Sequence, residues 1–339
     1  MLNIVHRHNK RIVSGLLLIA VVIVVGIVYT RWYLTPVVSG RSMDVEIPPG
    51  ESLRMVAAQL HAQGVLPYPL DLVLLARLRG AADAIRAGEY QVKPGTSVAA
   101  LLELLKSGKV VMHSVTLVEG WTFKQVLTTV EADPALSQTL HDRDTADIMT
   151  KLGHAGQNPE GRFYPDTYQF PKGTSDVAFL ERAYRVTQEH LNTAWQARSA
   201  DLPYKSPYDA LIMASIIEKE TAQPQERGEI AGVFVRRLQK GMKLQSDPTV
   251  IYGLGAQYHG KITYKDLRTD TPYNTYTRNG LPPTPICMPS LASIEAALHP
   301  TPGDVLYFVA RGDGTHQFSA TLEQQTAAIQ KYQIRHHSP

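Results

Sequence analysis

Cysteine is nearly absent: Cys287 stands alone among 339 residues. No disulfide can close within the chain, and no cysteine-based metal centre can form. A nucleophilic role for Cys287 would need a base and an orienting group beside it. Its surroundings, Pro-Thr-Pro-Ile-Cys-Met-Pro-Ser over 283–290, read as plain packing. No H-x-x-H or comparable ligand pair occurs, so no metal and no cofactor is expected. Acidic residues are missing from the first 43 positions, Asp44 being the first. Four of the 34 Lys and Arg fall within residues 1–31, which leaves 30 basic against 31 acidic residues beyond them. The basic balance therefore belongs to one end, and a nucleic-acid partner has no support.

What is present begins with an uncharged run, Ile12–Tyr29, of 18 residues. That length approaches the ~20 apolar residues that cross a ~30 Å hydrocarbon layer. Arg7, Lys10 and Arg11 precede it, so the positive-inside rule puts the short N-terminus in the cytoplasm and the rest outside. A cleaved signal peptide is the alternative. Its apolar core would usually span only ~7–15 residues and end in small residues. This run ends instead in Tyr29-Thr30-Arg31-Trp32-Tyr33, an aromatic interface pair around a cation, and reads as an uncleaved single-pass anchor. With 44% hydrophobic and 19% charged residues, the remainder is globular and long enough for two domains.

Three segments share a pattern: Gly50-Glu51-Ser52-Leu53, Gly95-Thr96-Ser97-Val98 and Gly120-Trp121-Thr122-Phe123. Each continues with apolar residues at +3, +4 and +7, giving Val56, Ala57, Leu60; Leu101, Leu102, Leu105; and Val126, Leu127, Val130. That spacing is one helix face, and Ser52, Ser97 and Thr122 are natural N-caps. Short apolar strands precede the glycines at 45–47, 90–92 and 115–118. Gly64 suits a left-handed helix end, and a helix over Leu70–Leu78 follows. Residues 46–112 thus read as a small βααβ module. Three unrelated helix starts are the plainer alternative.

Farther on, Glu160–Pro171 packs aromatics among turn formers, and 176–199 reads as one helix with Phe179, Ala183 and Val186 on a face. Ser206-Pro207-Tyr208-Asp209 then opens a helix with an N-cap, a proline at the first helical position and a capping-box acid. Its body, 210–217, is apolar on nearly every side and therefore buried. It ends in Glu218-Lys219-Glu220-Thr221 before Pro224. Burial and the negative helix end both favour the protonated form of a carboxyl there, as a general acid requires. From periodicity alone, an exposed end decorated with charge is the plainer reading. Glu218 and Glu220 lie about 200° apart around the axis, so they cannot share one cleft. Glu218 sits over the smaller neighbours Ala214 and Ser215, which leaves more room for a ligand.

The segments MASIIEKET (213–221), LQSDPTVIYGLG (244–255), YNTYTRNGLPPTPI (273–286) and LYFVARGDGTHQFSATL (306–322) stand in that order. With EGRFYPDTYQF (160–170) and LVEGWTF (117–123) they resemble the endolytic murein transglycosylases of the YceG-like family, across roughly 115–332. With the apolar run giving cytoplasmic residues 1–11, a transmembrane helix 12–30 and a linker 31–45, the resemblance implies an α+β architecture beyond them, a LysM-like module 46–113 and a catalytic domain 114–335. It implies cleavage between N-acetylmuramic acid and N-acetylglucosamine with closure of a 1,6-anhydro ring, with Glu218 as acid and then base. Peptidoglycan strands are the implied substrate, and peptidoglycan polymerases and penicillin-binding proteins the implied partners.

A neutral glycan calls for amide, hydroxyl and tyrosine contacts. Gln245, Ser246, Asp247, Tyr252, Tyr273, Asn274 and Tyr276 are of those kinds and lie in the matching motifs. For Asp247, a helix start at Asp-Pro-Thr competes with a place in the cleft. Residues 269–290, with five prolines, read as a long loop walling the groove. Ser290–Leu298 reads as a helix, and 305–320 as a hairpin about Gly312-Asp313-Gly314 that takes His316 as an ordinary strand residue. Two other functions fit less well: a hydrolytic muramidase with Asp247 as second carboxylate, and a non-catalytic peptidoglycan-binding scaffold.

Overall fold

The computed structural model describes residues 2–38 and 40–334. Ser39, in the expected linker, and residue 335, the expected end of the catalytic domain, lie outside the described residues, as does Met1. Helices and strands are mixed throughout, an α+β chain, and they divide into two compact units. One comprises residues 1–113 with 170–173, the other 114–169 with 174–339.

The first unit starts with α1 (Leu2–Tyr29), which carries on into a wider π turn, Thr30–Leu34. Residues 12–34 are long and apolar enough to cross a membrane, and none of that apolar window is buried in the protein. Then come β1 (Met43–Ile47), α2 (Leu53–Ala62), α3 (Pro69–Leu78), β2 (Gly88–Val92) and α4 (Val98–Ser107). β1 and β2 pair antiparallel, Val45 opposite Tyr90, which completes the βααβ order read from the repeats. The local signals act as expected. Ser52 and Ser97 accept the amides of Met55 and Ala100, and Gly64 follows α2 at φ 75°. Val56, Ala57, Leu60, Leu101, Leu102 and Leu105 all enter the core beside Tyr90.

The chain continues into the second unit through β3 (Met112–Thr116), α5 (Phe123–Ala132), β4 (Leu136–Ser137), α6 (Thr145–Lys151), β5 (Thr167–Pro171), β6 (Thr174–Ser175) and α7 (Asp176–Gln196), with the ends of β3 and β5 at 112–113 and 170–171 counted in the first. Next are α8 (Pro207–Glu220), α9 (Arg227–Gln239), α10 (Asp247–Leu254), α11 (Tyr264–Arg268), α12 (Leu291–Leu298), β7 (Tyr307–Ala310), β8 (His316–Ser319) and α13 (Leu322–Ile329). β3 pairs with β5, β4 with β6 and β7 with β8. The strand ahead of Gly120 thus stops at Thr116 and not at Val118, which is exposed. The aromatic stretch supplies a strand, because Tyr168 and Phe170 turn inward while their neighbours face out.

α8 is the hub of this unit. Leu211, Met213, Ala214, Ile216 and Ile217 have no measurable exposure and pack with Phe234 of α9 and Ile294 and Leu298 of α12. Ser206 caps α8 by accepting the Asp209 amide. Asp209 reaches one residue beyond the expected capping box and accepts from the Lys205 amide. Cys287 is fully buried, donates its thiol to the Ser215 carbonyl, and is pushed up by burial. It is a packed residue.

Candidate functional site

The two carboxylates at the end of α8 part company, as the helical period requires. Glu218 turns toward α12. Its Oε2 accepts from the Ser290 amide at 2.9 Å, the Ser290 hydroxyl at 2.6 Å and the Ser293 hydroxyl at 2.7 Å. Its Oε1 lies 3.9 Å from the Arg227 guanidinium, and only 7% of the side chain is exposed. Ser290 is the N-cap of α12, so this is a carboxylate at the positive end of a helix. The room expected beside Ala214 and Ser215 is taken by residues 286–287, the Ile286 amide donating to the Ser215 hydroxyl and the Cys287 thiol to its carbonyl. Glu218 does not line the cavity described next.

Glu220 opens onto a cavity of about 300 Å³ lined by Arg237, Gln245, Asp247, Tyr276 and His316, with apolar walls from Leu244, Phe308 and Val309. Burial raises its carboxyl to about 7. A bond from the Ser246 hydroxyl to Oε1, at 2.5 Å, works against that rise, nearby Asp247 adds to it, and Arg237 opposes it. Placement at the carboxyl end of α8 pushes in the same direction as burial. A group that holds its proton near neutral pH, inside a cavity with polar walls, has the properties of a general acid.

The segment 244–247 is folded to aim at this acid. Gln245 adopts φ 54°, a left-handed conformation that costs a non-glycine residue about 1 kcal/mol or more. Thr275 clamps it, accepting the Gln245 amide on its carbonyl and the Ser246 amide on its hydroxyl. Arg237, 7% exposed, donates to the Leu244 carbonyl at 2.8 Å and to the Gln245 side chain at 3.3 Å. Asp247 is the first residue of α10, but its carboxylate points away from helix capping. It accepts the Tyr276 hydroxyl at 2.5 Å on the cavity wall. Asp247 thus opens α10 without capping it, Ser246 being the N-cap. Burial, with Asp247 beside it, pushes the Tyr276 phenol well up, so it stays a donor.

Of the residues expected to touch substrate, Gln245, Asp247 and Tyr276 meet in this cavity, and Ser246 supports its acid. The other three do neither. Asn274 is fully buried, with its amide nitrogen within bonding reach of the carbonyls of Asp266, Leu267 and Thr269 and its oxygen accepting the Tyr276 amide. It braces the long loop, and the expectation of a sugar contact is corrected. Tyr252 and Tyr273 pack edge to face, 4.8 Å apart. Tyr252 donates at 2.9 Å to Glu160, and Tyr273 bonds Thr284. Glu160, 5% exposed, is itself raised to about 7 by burial, against the bonds from Tyr252 and the Phe123 amide. Gly161 beside it approaches Pro285 so closely that a Cβ would stand 2.5 Å from the ring, which fixes the aromatic segment to the proline-rich loop.

Sequence reasoning missed Glu220, Arg237 and His316 as cavity residues. His316 lies in the hairpin, as expected, and also forms an ion-pair geometry with Glu226 at 2.7 Å. A signal did exist for Glu220: it belongs to the same triplet as Glu218, and only the packing partner of each face separates them. Among the described residues, no group of three or more His, Cys, Asp or Glu could hold a metal ion.

The chain matches the sequence model of the YceG-like family over residues 45–331. It is 31% identical over 326 residues to the endolytic murein transglycosylase of Bacillus subtilis, covering 90% of this chain and 89% of that protein. It is 28% identical over 305 residues to the endolytic murein transglycosylase of Streptococcus pneumoniae, covering 80% of this chain and 55% of that longer protein. A crystal structure of a YceG-like protein from Listeria monocytogenes superposes with a TM-score of 0.52 at 32% identity, over 85% of this chain and 98% of that one.

Proposed function

The chain belongs to the YceG-like family and is a lytic transglycosylase, and from that premise we propose that Glu218, the first glutamate of the triplet, is the acid with which it cuts peptidoglycan strands internally. The bond cut is that between N-acetylmuramic acid and N-acetylglucosamine, and the product end is a 1,6-anhydro ring. One observation supports the assignment: Ser290 and Ser293 hold Oε2 of a side chain only 7% exposed, while Oε1, 3.9 Å from Arg227, makes no hydrogen bond among the described residues. Glu220, raised to about 7 by burial and open to the polar cavity, is the rival acid, and the experiment below separates the two.

In this reading Glu218 protonates the glycosidic oxygen as the C1–O bond lengthens, and its carboxylate then takes the proton of the 6-hydroxyl that closes the ring. The muramyl 6-hydroxyl, already tethered to the same sugar, closes on C1, so no water has to be positioned. Gln245, Tyr276 and Asp247 bind hydroxyl and acetamide groups, and the Ser290 and Ser293 hydroxyls hold the ionised carboxylate after proton transfer. A single carboxyl suffices, in contrast to the two that hydrolytic glycosidases use.

The remaining parts belong to the same proposal. Residues 12–30 form a single-pass anchor with a cytoplasmic N-terminus, residues 46–113 a LysM-like module and residues 114–335 a periplasmic catalytic domain. The cationic flank and the aromatic end of the apolar run support an anchor over a signal sequence. New strands emerge at the membrane, so an anchored cutter limits their length and works beside peptidoglycan polymerases and penicillin-binding proteins.

The test is mass spectrometry of muropeptides released from purified glycan strands by wild type, Glu220→Gln and Glu218→Gln. The expected result is anhydro ends from wild type and Glu220→Gln, and none from Glu218→Gln. Reducing ends from wild type would favour a muramidase. Full activity of Glu218→Gln would remove it as the acid.

A further inference from the structure

One helix of the first unit is apolar on both sides, the packed one and the open one. Among the ten residues of α3 only Asp71, Arg77 and no other carry charge. Leu72, Val73, Leu75 and Ala76 enter the core of the unit. Leu70, Leu74 and Leu78 are instead 68%, 47% and 76% exposed, with Tyr68 ahead of them at 59%. Spaced four apart, the three leucines make a stripe about 12 Å long on one side of the helix. Single exposed leucines are ordinary, but a row of them on a helix apolar all round calls for a cover.

The same helix is fastened to the end of the apolar span 12–34. Arg31 donates to Asp71 at 2.7 Å and lies 4.1 Å over the Tyr68 ring, at the start of α3. Arg79, the C-cap, donates to the Tyr33 hydroxyl at 2.9 Å. Between those two residues of the span, Trp32 packs against the core of the unit. Tyr29 stacks on Tyr33 at 5.0 Å, an aromatic pair of the kind found at headgroup level. No slack separates the span from α3. At 100° per residue Asp71 stands about 20° beyond Leu78 around the axis, so the stripe borders the side tied to the span.

We infer that α3 lies on the bilayer its own anchor crosses, with Leu70, Leu74 and Leu78 entering the lipid at the level of the headgroups. This rests on residues 12–30 being kept as a membrane anchor, and on nothing about which glutamate is the acid. Continuity with the span selects lipid over a protein partner. The two ties hold the stripe beside the residues where the span leaves the hydrocarbon, and amphipathic helices bury their leucines about 5–10 Å into that boundary. Arg77, exposed between Leu74 and Leu78, suits an anionic headgroup. Held at two places, the span and the stripe, the unit keeps one fixed tilt on the membrane.

The experiment uses the full chain in vesicles of phosphatidylethanolamine and phosphatidylglycerol, with Cys287 left in place because it is fully buried. Leu74→Cys carries a fluorophore, and the lipid carries a nitroxide either near the headgroup or deep in the acyl chain. The shallow nitroxide should remove about half of the emission or more, and clearly more than the deep one, as a helix about 5–10 Å into the boundary requires. Adding Leu70→Ser and Leu78→Ser should shift the ratio of docked to lifted helix by about tenfold or more and cut the quenching. Neither side chain belongs to the core, so the fold is not at stake. Equal quenching with and without those two leucines overturns the proposal, and so does emission untouched by either nitroxide. Shielding from aqueous iodide that needs many copies per vesicle, with lipid nitroxides silent, would give the stripe to a second chain and overturn it as well. The same fluorophore on Ala20→Cys tests the premise. Deep quenching at 20 beside none at 74 sinks only the docking, whereas none at 20 sinks the anchor itself.

Discussion

Replacing Glu218 by alanine should unfold the second unit more readily, and the size of the effect follows from its partners. The substitution strands three donors, the Ser290 amide, the Ser290 hydroxyl and the Ser293 hydroxyl, all against one oxygen that is almost wholly enclosed. It also leaves the Arg227 guanidinium, whose Nε already has no partner, without its facing negative charge. Hydrogen bonds to a charged group contribute about 1.5–3 kcal/mol each and are not additive, and breaking a buried pair costs about 3–5 kcal/mol. A loss of about 3–5 kcal/mol is therefore expected, set against a total stability of about 5–15 kcal/mol. At about 2–4 °C per kcal/mol for a unit of this size, the melting temperature should fall by roughly 6–20 °C. Thermal unfolding of the full chain in detergent, followed by circular dichroism, reads this directly. Glu218→Gln, which keeps an acceptor oxygen, should fall by less than half as much, although it releases no muropeptides. The reasoning fails if Glu218→Ala melts within 2 °C of wild type. It fails equally if Glu218→Gln melts as low as Glu218→Ala.

Two further expectations concern the neighbouring residues. Folded Glu220 holds its proton up to about pH 7, against an ordinary value of 4.5, so the native state binds more protons than the unfolded state between those values. Stability must then decline as pH rises through that window, and Glu220→Gln should gain up to about 3 kcal/mol over wild type at pH 8 and nothing at pH 4, in paired urea titrations. Equal curves at both pH values would deny the shift. Asn274→Ala removes the brace on the carbonyls of Asp266, Leu267 and Thr269 and on the Tyr276 amide, at about 2–4 kcal/mol. Hydrogen exchange should quicken across residues 264–278, and unchanged protection there would show the brace to be idle.

What could be read in the residues was local. Ser52, Ser97 and Ser206 each cap the helix they precede, because a serine hydroxyl satisfies an amide three residues on whatever the rest of the chain does. The βααβ order followed from the same short-range signals. The choice between Glu218 and Glu220 was not local. Small neighbours on α8 suggested space beside Glu218, yet Ser290 and Ser293, more than 70 residues later, fill it. Asn274 carried the right chemistry for a sugar but was spent on its own loop. His316 looked like any strand residue because Glu226, its partner, lies 90 positions away.

Both carboxylates ride on the last turn of α8, one fastening α12 and the other facing the cavity. The proton donor therefore cannot come to rest until α12 has docked and supplied its serines, since Glu218 would otherwise be an enclosed charge with nothing to answer it. Competence to cut is tied to completed assembly of the domain. A half-folded chain would be harmless to glycan.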